Sequence, residues 1–287
     1  MRVDAHQHYW RFDPARDAWI TPDMRALRRN FLPNDAAPLL RAAGIDAVVA
    51  VQADQSIAET EFLLALAAQH EFVRGVVGWI DLGAPDIDEQ MAQYRTAPAL
   101  KGFRHIAQAE PDDFLTQPHV VRGINALGAV GYSYDILVYP RQLPAAITLV
   151  ASCPSVSFVL DHCAKPPIAT RNLASWRADF AQLAQLPNVS CKLSGLVTEA
   201  VWDRWTATDI TPVLDAALDA FGAERLMFGS DWPVCLLAAE YASVVGVVEG
   251  WAAALSMSEQ AAILGETAER VYRLVGSARS PSTQTHV

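Results

Sequence analysis

Met1-Arg2-Val3-Asp4-Ala5-His6-Gln7-His8-Tyr9 is a β-rich run that ends in two histidines one residue apart. An open, doubly wound α/β sheet normally carries a glycine-rich phosphate loop after its first strand. No such loop follows His8, which turns the reading towards a closed sheet. Working outward, residues 46–52, 73–82, 100–106, 132–139, 157–162, 188–194 and 225–230 read as further strands. Helical patterns lie between them, among them residues 58–70, 174–185, 212–221 and a C-terminal stretch at 258–274. One helix is expected to end at Gly44, and Ser258 with Glu259 behind it reads as an N-cap. The strands are almost continuously apolar, as expected when both faces of a sheet are covered. Alternation of strand and helix through eight units predicts an α/β fold, a single-domain (β/α)8 TIM barrel over residues 1–276. Residues 277–287, rich in Ser, Pro and Thr, are expected to be a disordered tail.

The bulk composition fits that reading. A barrel of this kind runs to about 250 residues, and the chain has 287. Hydrophobic residues make up 52% and charged residues 19%, which favours a compact globule. The formal charge of −10 repels phosphate backbones, and no stripe of Lys or Arg offsets it, so nucleic acid is not an expected partner. No apolar run reaches the roughly 18 residues of a membrane span. The first residues carry no apolar targeting segment, so a cytoplasmic location is expected. Cys153, Cys163, Cys191 and Cys235 form no CxxC pair and read as small buried side chains in a reducing compartment. The oligomeric state is not legible.

Side chains at i and i+2 of a strand share a face, so His6 and His8 point together into the barrel mouth. Two neutral imidazoles there can bind a divalent metal or polarise a carbonyl. Phe228-Gly229-Ser230-Asp231-Trp232-Pro233 places Asp231 where the last strand leaves the sheet, and closure makes strands one and eight neighbours. Asp231 is therefore expected beside His6 and His8, as general base or metal ligand. At the end of strand six, alternation admits only one of Asp161 and His162 to the lumen. His162 is the expected one, sharing its face with Leu160, and Asp161 is left as an outer partner. In Lys101-Gly102-Phe103-Arg104-His105, twist or a bulge can bring both Arg104 and His105 into the mouth, where cationic donors stabilise an oxyanion. Lys192, inside an apolar strand, needs a partner, either Asp231 or Asp161. Gln52, Asp54, Trp79, Tyr134 and Tyr139 fall near strand ends, where they can bind a polyhydroxylated ligand. Two long connections, residues 9–32 and 163–173, lie on the same functional face.

Taken together, Asp4-Ala5-His6-Gln7-His8-Tyr9-Trp10, Lys101-Gly102-Phe103-Arg104, Leu160-Asp161-His162, Lys192-Leu193-Ser194-Gly195 and Gly229-Ser230-Asp231-Trp232-Pro233 resemble the sugar-lactonase branch of the amidohydrolase superfamily. The resemblance runs from about residue 3 to about residue 275. It implies a hydrolase that opens lactones of sugar acids, such as L-fuconolactone or L-rhamnonolactone. It places the first-strand histidines on His6 and His8, the sixth-strand histidine on His162 and the last-strand aspartate on Asp231. The implied cofactor is one divalent ion, zinc before others, held by His6, His8 and Asp231; metal-independent catalysis is the other possibility the resemblance leaves open.

The expected mechanism is attack of water on a lactone carbonyl. Asp231, His162 and His105 are its catalytic residues, and Lys101, Arg104, Trp79, Gln52 and Tyr139 bind the substrate. Two alternatives stand beside it. One is a zinc-dependent, non-oxidative decarboxylase of an aromatic or muconate-type acid. The other is a barrel that binds a sugar acid without turnover.

Overall fold

The computed structural model describes residues 1–274; the expected tail at 277–287 lies outside them. Eight parallel strands pair in chain order: β1 (Val3–Gln7), β2 (Ala47–Val51), β3 (Val73–Gly78), β4 (Leu100–His105), β5 (Ser133–Ile136), β6 (Phe158–Leu160), β7 (Val189–Leu193) and β8 (Leu226–Phe228). The first and last meet just beyond β8. There the His8 amide donates to the Trp232 carbonyl at 2.7 Å, and the Asp231 amide to the His6 carbonyl at 2.9 Å. The sheet thus curls into the expected (β/α)8 barrel. The strands are shorter than the apolar runs that announced them. At their C-terminal ends the chain leaves the sheet early to build the mouth.

The helices are α1 (Pro33–Ala42), α2 (Ile57–Gln69), α3 (Ile87–Ala92), α4 (Pro118–Ala129), α5 (Leu143–Ser152), α6 (Ala174–Ala184), α7 (Ala207–Phe221), α8 (Tyr241–Ala252), α9 (Met257–Ala261) and α10 (Thr267–Val271). Two starts differ from the sequence reading. Pro212 looks like a first-turn proline but lies inside α7, because Asp209 accepts the Thr206 amide at 2.9 Å and nucleates the helix earlier. The cap of α9 is Ser256 rather than Ser258, since the Glu259 carboxylate reaches back to the Ser256 amide at 2.8 Å. The C-terminal stretch is also interrupted by a π turn at Ala262–Glu266. A Cβ at Gly265 would lie 1.9 Å from the Met1 carbonyl oxygen, so only glycine allows this close approach to the chain start.

Two apolar layers result. Outside the strands, Val48, Val76, Phe103, Tyr134, Phe158, Leu160, Leu193 and Phe228 pack with residues of the helices. Inside, Val3, Ala5, Ala47, Val49, Val51, Val77, Val159 and Met227 fill the lower lumen, and Tyr272 and Leu274 plug it from the C-terminal segment. Full burial of one such aliphatic side chain contributes about 1.5–3 kcal/mol. The 9–32 connection closes on itself through paired Trp10 and Phe31 backbones, each N–H to O distance being 2.9 Å. It buries Trp10, Ile20, Leu27 and Phe31. Phe31 meets the Trp232 ring edge-on at 5.3 Å, which seats the loop beside the end of β8. Among the described residues no helix is long and apolar enough to cross a membrane. All four cysteines are free and buried.

Candidate active site

A β-bulge aims the two histidines. Along β1, Val3 and Ala5 face the lumen, and strict alternation would next send Gln7 inward. Instead, Asp4 pairs with Val48 and Gln7 with Ala50, so three steps on β1 oppose two on β2. The extra residue inverts the phase, and His6 and His8 enter the lumen. Asp4 anchors the displaced chain from outside. Its Oδ1 accepts the Ser230 amide at 2.8 Å and the His6 amide at 3.2 Å, while Oδ2 accepts from Gln7 Nε2 at 2.8 Å and from the Tyr241 hydroxyl at 3.1 Å. This one carboxylate ties the histidine strand to the residue preceding Asp231. The sequence reading missed it, although an aspartate within an apolar strand was a signal.

Asp231 follows Ser230 with a positive φ of 58°, which turns its carboxylate back over the barrel end. Its Oδ1 lies 3.3 Å from His8 Nε2 and 3.7 Å from His6 Nε2, and the two imidazole nitrogens are 3.1 Å apart. Gly229 makes the approach possible: a Cβ there would stand 2.7 Å from His6 Cβ.

The end of β6 departs from the expected pattern. Val159, not Leu160, belongs to the inner layer, so Asp161 two residues on faces inward and is not an outer partner. It accepts from Arg104 Nη1 at 3.0 Å, and its Oδ1 forms an ion pair with Lys192 Nζ at 2.9 Å and lies 3.4 Å from His6 Nδ1. His162 enters the lumen as well, because the chain abandons the extended conformation: its φ is 53°, and the next three residues are also left-handed. Its ring centroid lies 4.5 Å from that of His6, and Nδ1 is 2.8 Å from Ser194 Oγ. Gly195, at φ 61°, leaves room for this ring; a Cβ would lie 2.6 Å from His162 Nδ1.

Beneath the imidazoles lies a compensated charge layer. Lys192 is fully buried and pairs with Asp135 at 2.6 Å as well as with Asp161, not with Asp231. Asp135, on β5, escaped the sequence reading. Arg104 adds contacts to the Gln52 carbonyl, to Gln52 Oε1 at 3.2 Å and to His6 Nε2 at 3.4 Å. Burial lifts the Asp161 carboxyl, but Lys192, then His6 and Arg104, outweigh it and hold the group well below the usual range. For Asp231 burial again pushes upward, and His162, His8 and His6 pull it to a strongly lowered value. Burial lowers His162 to about 4 against the pull of Asp231 and Asp161, so this ring is neutral near pH 7. Burial likewise drives His6 well below its ordinary value.

The donor set fits one metal ion. The Val51 carbonyl, 2.8 Å from His8 Nδ1, can only accept, so that nitrogen carries the proton and Nε2 presents its lone pair. That lone pair faces the Asp231 carboxylate, and two such acceptors need a proton or a cation between them. Zinc bonded tetrahedrally at about 2.0–2.1 Å sets its ligand atoms roughly 3.3 Å apart, and the three separations here run from 3.1 to 3.7 Å. His6, Asp161 and His162 form a second possible group. Its carboxylate, however, is already committed to Arg104 and Lys192.

The remaining predicted residues are distributed unevenly. Gln52 and Arg104 are buried in the lumen beside His6. His105 stands at the rim with both nitrogens engaged: Trp79 Nε1 donates to Nδ1 at 3.3 Å, and Nε2 lies 3.0 Å from Glu110 Oε1. Its ring stacks on Phe114. Both partners fix its ring in the wall of the mouth, and Glu110 is the one the sequence did not reveal. Tyr139 is exposed at the rim, with the Arg141 and Lys165 cations over its ring at 5.0 and 5.8 Å. Asp54 accepts from the Ser56 hydroxyl at 2.7 Å. Lys101 is not brought to the mouth: it lies at the opposite end of β4, and its Nζ donates to the Arg273 carbonyl at 3.3 Å. Tyr134 packs outward against Phe158.

Comparison with known proteins identifies the family. A family model described as amidohydrolase matches residues 3–274. The chain is 47% identical over 286 residues to an L-fucono-1,5-lactonase of Burkholderia multivorans, covering 96% of each chain. It is 38% identical over 242 residues to an L-fucono-1,5-lactonase of Burkholderia ambifaria, covering 84% of this chain and 83% of that one. A crystal structure of a Burkholderia multivorans amidohydrolase with bound zinc superposes with a TM-score of 0.93 at 47% identity, over 96% of this chain and all of that one.

Proposed function

The chain belongs to the amidohydrolase family, and from that premise we propose that it hydrolyses the ring ester of a sugar-acid lactone, with an L-fucono-1,5-lactone-like aldonolactone as its substrate class. The observation that carries the proposal is the convergence of Asp231 with His6 and His8 within 3.3–3.7 Å at the mouth, with His162 beside them. A lactone seated there presents its carbonyl carbon to water lying against Asp231. As the water oxygen bonds to that carbon, the Asp231 carboxylate takes one of its protons. The carbonyl oxygen becomes an oxyanion, which the His162 imidazole faces as a donor. Collapse breaks the ring C–O bond, and Asp231 returns the proton to the departing alkoxide. The product is a single open-chain sugar acid that carries the freed hydroxyl.

His6, His8 and Asp231 would hold a divalent ion. When bound, it supplies Lewis-acid polarisation and an acidified water, which matters because Asp231, held as a stable anion, is a weak base on its own. Gln52, Trp79 and Tyr139 flank the mouth as candidate contacts for ring hydroxyls, and Lys101, at the other end of β4, is left out. The buried free thiols agree with a cytoplasmic location.

The decarboxylase and the non-catalytic binder are the readings that the assay must separate from this one. The test is a pH-indicator assay over a panel of aldonolactones, with and without chelator, run beside a CO₂-release assay on aromatic acids. Acid release from an aldonolactone supports the proposal, and its loss on chelation assigns the ion a role. No hydrolysis across the panel by zinc-loaded protein would overturn it.

A further inference from the structure

We propose that Tyr272, which enters the barrel from the floor opposite the mouth, is a positioning residue for His6. Its ring is fully buried in the lower lumen. Its hydroxyl donates to Asp135 Oδ2 at 2.7 Å. The same oxygen accepts from Lys192 Nζ at 2.6 Å, and Lys192 in turn lies 3.2 Å from His6 Nδ1. A chain of four side chains thus runs from the C-terminal segment through β5 and β7 to β1.

Three features make this link more than floor packing. A barrel floor is sealed more cheaply by an aliphatic side chain, as Leu274 does alongside, because a buried phenol needs a hydrogen-bond partner. The partner of Tyr272 is not water at the floor but the charge layer above it. Next, Asp135 Oδ1 has no hydrogen-bond partner among the described residues, so nothing on that oxygen resists rotation of the carboxylate. The Tyr272 hydroxyl and Lys192 together fix it. Last, an ammonium has three protons and no lone pair. Those of Lys192 meet Asp135, Asp161 and His6 Nδ1. Nδ1 of His6 thus stands between Lys192 Nζ at 3.2 Å and Asp161 Oδ1 at 3.4 Å, and these two buried ions set the plane of the ring whose Nε2 looks into the mouth. Without the phenol hydroxyl, Asp135 is free to turn, Lys192 shifts towards Asp161, and His6 loses a contact that sets its orientation.

The inference rests on the lactonase reading only for its kinetic consequence, so the experiment has an arm without substrate. Long-range ¹H–¹⁵N spectra of the histidine rings are recorded for wild type and Tyr272→Phe, with His6 assigned by its absence in His6→Gln. The expected result is a clear move of the His6 Nδ1 resonance while the other ring signals stay in place. In lactone turnover, Tyr272→Phe is expected to lower kcat about 10-fold with KM nearly unchanged, a split that loss of packing would not produce. Asp135→Asn reaches the same link from the other side and is expected to move the same resonance; it serves if Tyr272→Phe does not fold. An unmoved His6 signal in the folded variant overturns the inference, whatever the kinetics. A moved signal in a protein that hydrolyses no lactone would instead overturn the functional reading and leave the positioning role standing.

Discussion

The two halves of the barrel wall are built on opposite principles. From β1 to β3 the lower lumen is lined by Val3, Ala5, Ala47, Val49, Val51 and Val77, all fully buried and apolar. From β4 to β7 it carries Arg104, Asp135, Asp161 and Lys192, also buried and all charged. The aliphatic half stabilises the fold by burial. The charged half would destabilise it if any member were left unpaired, because a buried ion without its partner costs several kcal/mol. What the charged half supplies is orientation: Arg104, Asp161 and Lys192 all contact His6, the imidazole at the boundary between the halves. The active site stands on this seam, with the bulged strand on one side and the ion layer on the other.

That contrast can be broken deliberately. The largest effect is expected on top of the seam: Asp231→Asn removes the proton acceptor and should lower kcat by about 10³-fold or more at nearly constant melting temperature. Steady-state rates and calorimetry on one preparation check this. Next, Asp161→Asn leaves Arg104 and Lys192 one charge short. Stability should fall by about 3 kcal/mol in urea, with kcat down about 100-fold. The matching change in the aliphatic half, Val49→Ala, should lose about 2 kcal/mol with kcat almost intact. Equal losses of activity from both would erase the division of labour. Gly195→Ala should act by crowding, since the new methyl would overlap the His162 ring at a left-handed position; kcat is expected to fall about 10-fold.

The smallest effect belongs to Glu59, the titrating group of α2 behind the aliphatic half. Burial pushes its carboxyl up to about 7, despite the Ala53 amide that it accepts. The folded state therefore holds this proton more tightly than the unfolded chain. Stability from this group is present below the ordinary value of 4.5 and is lost as pH rises towards 7. Glu59→Gln, which keeps the acceptor, should be more stable than wild type at pH 8 by about 2 kcal/mol and equal to it near pH 4. A difference independent of pH would assign the cause to packing.

Much of this was legible beforehand, and the failures share a physical origin. Eight apolar runs gave the barrel, and closure put Asp231 next to His6 and His8. Alternation gave the pairing of the two histidines, but not the bulge that turns them inward, because a bulge is a property of two strands. It failed at Asp161 and His162, where a left-handed turn brings neighbouring residues to the same lumen. It also identifies a face and not a height along the axis. Lys101 lies three residues before Arg104, about 10 Å along a strand, and ends at the floor. Asp135 and Tyr272 were missed for another reason. A buried lysine demands carboxylate partners, yet the sequence alone does not say which of the chain's many acids answers Lys192.

The measurement that bears most directly on the central claim is a crystal structure of zinc-loaded Asp231→Asn with an intact aldonolactone bound. The account predicts the lactone carbonyl at the mouth, among His6, His8, His162 and position 231, with its carbon facing the side chain at position 231 and its oxygen turned towards the His162 imidazole. A lactone seated away from these four residues, or bound with its carbonyl turned to solvent, would contradict it.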